Sequence, residues 1–316
     1  MINIKTKFIG LRKVKEIEIE NDLGLKLVLI NYGASLFQVY LKEKELLYTS
    51  HSLKEFIFSK AYLGKIIGRT SGRIKDSIIN INNKTYKLFK NGKHHLHGGK
   101  GFSFKPFECE ILEDDQSIKV DFYYLSKAYE DGYPGELEVK VSYFLFKNEN
   151  KFRIEFSSIS DEDTLCNLTS HAYWNLSSSK ESIINHHLVM NANKYIEVDN
   201  ELIFKNIKDV DEVFDFRKGK TLGEYLFDEK LIKNSNGYDH DFILDSKEVS
   251  LLNKDFELII NSSYPICHVY TGNYLFDPYY GVALEFEKES YNIDKLLLRK
   301  DQLYSEFIEY QIVERE

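Results

Sequence analysis

The sequence predicts an all-β protein, a large antiparallel β-sandwich or barrel. Apolar and polar residues alternate with period two over long stretches, clusters of Asn, Gly and Pro separate those stretches, and windows with helical spacing are few. Strand side chains point alternately to opposite faces, so such alternation marks half-buried strands.

Asn82-Asn83 supplies an early turn. Ile118, Val120, Phe122 and Tyr124 then face one way, with Lys119, Asp121 and Tyr123 between them. After a Gly132-Tyr133-Pro134-Gly135 turn the pattern returns at Leu137, Val139, Val141, Tyr143 and Leu145. Asn148-Glu149-Asn150 turns the chain into Phe152, Ile154 and Phe156, opposed by Lys151, Arg153 and Glu155. Leu222 to Leu231 has the spacing of one short helix, and Asn234-Ser235-Asn236-Gly237 makes a further turn. With four prolines, no low-complexity linker and no fixed-period repeat, residues 1–316 read as a single domain.

Composition narrows the function classes. Hydrophobic residues at 43% and aromatics at 14% supply a core and exclude a disordered chain. The net charge of -8 comes with no sustained basic stripe, which argues against a nucleic-acid partner. Lys84-Thr85-Tyr86-Lys87 alternates at strand spacing and reads as a solvated face. No apolar run reaches the roughly 20 residues of a membrane helix, and Met1-Ile2-Asn3-Ile4-Lys5 lacks the apolar core of a signal peptide. Cys109, Cys166 and Cys267 match neither a disulfide framework nor a zinc ribbon, so reduced thiols and a cytoplasmic location are expected. Nothing in the sequence sets an oligomeric state.

Five segments place titratable residues where a plain sandwich needs none. Gly68-Arg69-Thr70-Ser71-Gly72-Arg73-Ile74 carries two arginines four apart; it lacks the Lys-Ser/Thr of a phosphate loop, and Arg73 either meets a ligand or pairs with an internal carboxylate. In His94-His95-Leu96-His97-Gly98-Gly99, three histidines raise the question of a metal. The spacing favours none: on a strand His95 and His97 share a face and His94 points away. His97 reads as a site histidine backed by two surface ones, with Gly98-Gly99 leaving room for something to approach. His171, Tyr173 and Asn175, in Ser170-His171-Ala172-Tyr173-Trp174-Asn175-Leu176, would line one polar wall. Histidine moves its proton most easily near neutrality, so His171 is either an acid–base group or a core histidine. Asp239 and Asp241 share a strand face after a Gly237 turn and suit sugar hydroxyls. Glu285, alternating with Leu284 and Phe286, faces either a cleft or solvent. No nucleophile elbow, zincin helix or dinucleotide loop is present. The inventory suits moving protons on a neutral polyol.

In order along nearly the whole chain, these segments resemble the aldose 1-epimerase (galactose mutarotase) family. The resemblance runs through Asn31-Tyr32-Gly33-Ala34, the Gly68 to Ile74 segment, Leu96-His97-Gly98-Gly99, Asp131-Gly132-Tyr133-Pro134-Gly135 and Asn167 to Leu176. It continues through Asp215-Phe216-Arg217, Gly237-Tyr238-Asp239-His240, Tyr270-Thr271-Gly272-Asn273 and Leu284-Glu285. It implies a single β-supersandwich that interconverts the anomers of free hexoses without a cofactor or metal. By motif position, His171 is implied as general acid and Glu285 as general base, one on each side of the sugar. Arg73, His97 and Asp239 are implied as sugar ligands, with Tyr173 or Trp174 against the sugar's C–H surface.

Three departures from the family pattern concern substrate more than reaction. His268 stands at a sugar-contact position where many members have Gln. Phe286-Glu287-Lys288-Glu289-Ser290-Tyr291-Asn292 replaces the usual segment after the base. The loop after Gly99 is short, with Ser103 where Asp is common. The alternatives are an epimerase of a phosphorylated or otherwise decorated sugar, a non-catalytic sugar-binding sandwich, and a His94/His95/His97 metal protein.

Overall fold

The computed structural model describes residues 1–177 and 181–315. Antiparallel sheets dominate, as the alternation requires. A five-stranded meander runs Ile2–Ile9, Arg12–Glu20, Leu25–Ile30, Ser35–Leu41, Lys44–Glu45. A nine-stranded sheet is ordered Glu108–Glu113, Ser117–Ser126, Leu137–Phe146, Lys151–Ser160, Tyr304–Glu314, Phe256–Ser262, Glu248–Leu252, His187–Met190, Lys220–Thr221. A six-stranded sheet is ordered Tyr173–Trp174, Val282–Glu287, Ile266–Tyr270, Asp239–Ile243, Lys194–Val198, Phe204–Asp209. The chain crosses between sheets late, so neighbours in space are often far apart in sequence.

The expected strands are present. Ile118, Val120 and Phe122, and Leu137, Val139, Val141, Tyr143 and Leu145, are buried, and their partners across the turn, Phe152, Ile154 and Phe156, bury with them. Asn82 and Asn83, at φ 51° and 62°, close the hairpin between Ile78–Ile81 and Lys84–Lys87 with the positive φ values that a tight two-residue turn demands. The helix expected at Leu222 to Leu231 is mostly turn; helix forms only over Glu229–Ile232, started by the Asp228 side chain accepting from Lys230 N. Leu222, Leu226 and Leu231 are buried all the same, so the helix-like spacing reports burial of an irregular segment. A helix absent from the sequence reading, Leu53–Phe58, is capped by Ser52, whose side chain accepts from Glu55 N.

One hydrophobic cluster joins the sheets: Leu27 and Val39 from the meander, Val141 and Ile154 from the nine-stranded sheet, Val269, Leu284 and Phe286 from the six-stranded sheet. Each such side chain taken from water contributes about 1.5–3 kcal/mol. The same alternation turns Glu285 and Glu287, His268, and Asp239 and Asp241 to the other face of the six-stranded sheet.

Candidate active site

Strand pairing assembles the polar face. Val282–Glu287 pairs with Tyr173–Trp174 so that Tyr173 faces Ala283, and continuing that register sets His171 beside Glu285. On the other side Glu285 faces His268, and His268 faces Asp241. Four residues distant in sequence thus form one row across the sheet. Backbone bonds fix the His171 end: its N–H donates to Lys65 O and its carbonyl accepts from Gly64 N, each at 2.9 Å.

His171 Nε2 lies 3.3 Å from Glu285 Oε1, and both side chains are buried, at 4% and 2% exposure. The two groups therefore stand side by side rather than on opposite sides of a ligand, because adjacent strand positions carry them. It also means that Glu285 faces a cleft and not solvent. Burial pushes the Glu285 carboxyl up to about 8, with the His268 charge opposing and Glu287 adding to the rise. Burial pulls His171 down to about 3, helped by the His268 charge. The pair thus holds one proton over a wide range, resting on the carboxyl and able to cross to the imidazole.

The two arginines of the Gly68 to Ile74 segment diverge. Arg69 is buried and donates to Ser126 Oγ, Thr164 Oγ1 and the carbonyls of Ser126, Lys127, Pro134 and Gly135. Arg73 is half-buried at the cleft and makes no hydrogen bond or ion pair among the described residues, so it pairs with no internal carboxylate there.

The histidine triplet also divides, and not as the sequence suggests. His94 and His95 are both buried rather than on the surface. His94 Nδ1 accepts from Asp76 N, while His95 sits between Phe89 O at 2.7 Å and Tyr133 Oη at 2.6 Å. The strand ends at Leu96, and His97 takes a left-handed backbone, φ 48°, which breaks the alternation and turns its ring into the cleft, edge-on to His171 at 5.3 Å. The room left at Gly98 is filled by the chain itself: a Cβ there would collide with the Gly68 carbonyl oxygen.

Asp239 is buried, and its Oδ1 lies 3.2 Å from His268 Nε2; Asp241 Oδ1 lies 2.6 Å from His268 Nδ1. Tyr173 lines the cleft with its ring 4.9 Å from His171, its hydroxyl donating to Ala61 O. Trp174 instead packs in the core against Phe152 and Tyr310, and Asn175 leaves the expected wall to donate to Glu181 O and Tyr280 O. Ser103 is buried against Ile66 O, away from the cleft. Among the cleft residues that escaped the sequence reading are Tyr62, Tyr270 and Glu287. Glu287 had a signal, since it shares a strand face with Glu285. It accepts from Ser71, which Asn167 holds through a 2.7 Å bond, and Asn167 also accepts from Lys288 N. Tyr62 lies in a turn after the short helix, where no periodicity reports orientation.

The sequence profile of the aldose 1-epimerase family matches residues 15–296. The chain belongs to the aldose 1-epimerase family. It is 32% identical over 277 residues to an aldose 1-epimerase of Haemophilus influenzae, covering 82% of this chain and 79% of that protein. It is 30% identical over 279 residues to the galactose mutarotase of Homo sapiens, covering 83% and 78%. The crystal structure of a galactose 1-epimerase from Lactobacillus acidophilus NCFM superposes with a TM-score of 0.94 at 27% identity, covering 100% of this chain and 99% of that one. The expected galactose mutarotase-like β-sandwich is therefore the fold of this aldose 1-epimerase family chain.

In this family member the cleft floor is a cavity of about 330 Å³ holding His171, Glu285, Arg73, His97, Asp239, His268 and Tyr173. A second cavity of about 480 Å³ shares Arg73, Asp239, His268 and Glu287 with it and runs out past Phe204 and Tyr291, which stack at 5.3 Å. His97, His171 and Glu285 each offer one possible ligand atom, all within 4.8 Å of one another. A metal-bound imidazole, however, donates its other N–H to an orienting acceptor, and His171 Nδ1 is buried without a partner. We assign no metal ligands here.

Proposed function

We propose that this chain is a cofactor-free mutarotase that interconverts the α and β anomers of free hexoses such as galactose or glucose. Once the shared proton has crossed from Glu285 to His171, Glu285 takes the proton of the C1 hydroxyl, the O1 electrons form the C1 carbonyl as the C1–O5 bond breaks, and His171 delivers its proton to O5. Rotation about C1–C2 and the reverse transfers close the ring on the other face. The oxidation level never changes, so acid–base chemistry suffices. Both oxygens are bonded to C1, and an acid and base side by side reach them together. Arg73, His97 and Asp239 bind hydroxyls, and the Tyr173 ring faces the sugar's C–H surface.

The observation that carries this reading is the 3.3 Å His171–Glu285 pair at the floor of a hexose-sized cavity. Relatives named galactose mutarotase support the choice of sugar. Polarimetry on freshly dissolved α-glucose and α-galactose tests it: the protein accelerates mutarotation well above buffer, and Glu285→Gln removes most of that rate while unfolding at the parent temperature. No acceleration with either sugar overturns the proposal.

A second reading, a decorated sugar, is favoured by the adjoining cavity. Its wall sets Asp239, Asp241 and Glu287 against Arg73 and Lys75, which suits a neutral substituent better than a phosphate. Glucose 6-phosphate is then a poorer substrate than glucose, and a higher rate on the phosphate would reverse that order.

We further read the chain as one domain working in the cytoplasm on a small-molecule sugar. Its three cysteines are free, and no described helix is long and apolar enough to cross a membrane.

A further inference from the structure

His268 lies directly opposite Glu285 on one neighbouring strand and Asp241 on the other. Its Nδ1 is 2.6 Å from Asp241 Oδ1, and its Nε2 is 3.2 Å from Asp239 Oδ1. An ionised carboxylate only accepts hydrogen bonds, so both ring nitrogens must carry protons to satisfy both contacts. A ring with two N–H groups is an imidazolium. Either neutral tautomer would aim a lone pair at a carboxylate in a half-buried site, where that repulsion is least screened.

The surroundings also call for a cation. Asp239 and Asp241 face His268 from one strand and Glu285 and Glu287 from the other, with Arg73, Lys75, His97, Tyr270 and the neutral His171 among the further titratable and charged groups at the cleft. Four carboxyl groups are thus gathered around His268 and Arg73. Burial opposes a charge on His268, but the bonds to Asp239 and Asp241 outweigh it and hold the imidazole well above its ordinary value. With both nitrogens engaged, His268 has no donor left for a sugar. Asp239 keeps a free acceptor: its Oδ2 makes no hydrogen bond among the described residues, while Oδ1 is held.

We propose that His268 is a positioning residue, a permanent imidazolium that fixes Asp239 to accept a sugar hydroxyl and offsets the negative charge gathered around Glu285. This rests on the anomer-interconverting reading and replaces direct sugar binding by His268. The ring assists catalysis without touching the reacting atoms, acting through Asp239 and through the field at the His171–Glu285 pair.

Two measurements test it. Nitrogen NMR of the imidazoles in the whole protein, with His268 assigned by its loss in His268→Gln, shows both its nitrogens protonated at mildly alkaline pH; a neutral ring there overturns the proposal whether or not the protein turns over sugar. In His268→Gln, loss of the positive charge makes the His171–Glu285 pair hold its proton more tightly. The pH profile of kcat/KM then moves to higher pH by about one unit or more, and KM for the hexose rises. Asp241→Asn, which replaces one of the two carboxylates on the ring by a neutral amide, moves His268 toward neutrality in the same spectra. Variants that lose stability but keep the parent pH profile would make His268 merely structural. An inactive parent whose His268 is nevertheless doubly protonated would fail the mutarotase reading and leave the charge assignment standing.

Discussion

Arg69 and Arg73 stand four residues apart and do opposite work: the first is buried with six hydrogen bonds into neighbouring loops, the second has none among the described residues and borders the cleft. Arg69→Met leaves four backbone carbonyls and two hydroxyls short of a donor. Its expected cost is on the order of 3 kcal/mol of stability, read as a lower urea midpoint. Arg73→Met leaves the urea midpoint within about 0.5 kcal/mol of the parent and raises KM for the hexose about tenfold, the worth of one charged hydrogen bond. A stability loss confined to the Arg73 variant would invert the assignment.

The rate should depend on pH through the one proton shared by His171 and Glu285. With burial holding His171 at about 3 and Glu285 at about 8, the pair keeps that proton between these values. kcat/KM is therefore flat across neutral pH and falls above about 8 as the last proton leaves. Glu287 contributes to the raised Glu285 value through its charge, so Glu287→Gln shifts the falling limb to lower pH. A limb that stays in place, or moves upward, would mean that the two glutamates do not interact.

Lys65 offers a stability test away from the chemistry. It is fully buried, its ammonium donates to Ile57 O at 3.3 Å, and the Phe56 and Phe104 rings cover it. Burial lowers it from 10.5 to about 7. Between those values the unfolded chain binds more protons than the folded one, so this group makes stability rise with pH across that window. Lys65→Met removes that rise and is at least as stable as the parent at neutral pH, since a buried charge gives way to an apolar group of similar length. Urea midpoints measured across the window check it; a steeper rise in the variant would contradict the sign.

The fold was legible because strand alternation is local. Ile118 to Phe122 and Leu137 to Leu145 name their buried faces from sequence spacing alone, and the Asn82-Asn83 turn announces its hairpin. Leu222 to Leu231 misled because burial of an irregular segment mimics helical spacing. Within the site, period two placed Asp239 with Asp241 and set Glu285 on the face opposite Leu284. It failed at His97, where a left-handed residue ends the alternation, and at Asn175, whose amide was needed by loop carbonyls.

What the sequence determined by itself was the all-β class, the polar inventory and, by resemblance, the family and its expected acid and base. Only the tertiary structure decided that His171, Glu285, His268 and Asp241 form one row, that Arg69 is sealed in while Arg73 is open, and that His268 is bound by two carboxylates. The reason is physical: alternation is set by the backbone of each strand, but which strands pair, and which loops close over them, depends on contacts between residues distant in sequence, such as Arg69 with Ser126, Ser71 with Asn167 and Tyr173 with Ala283.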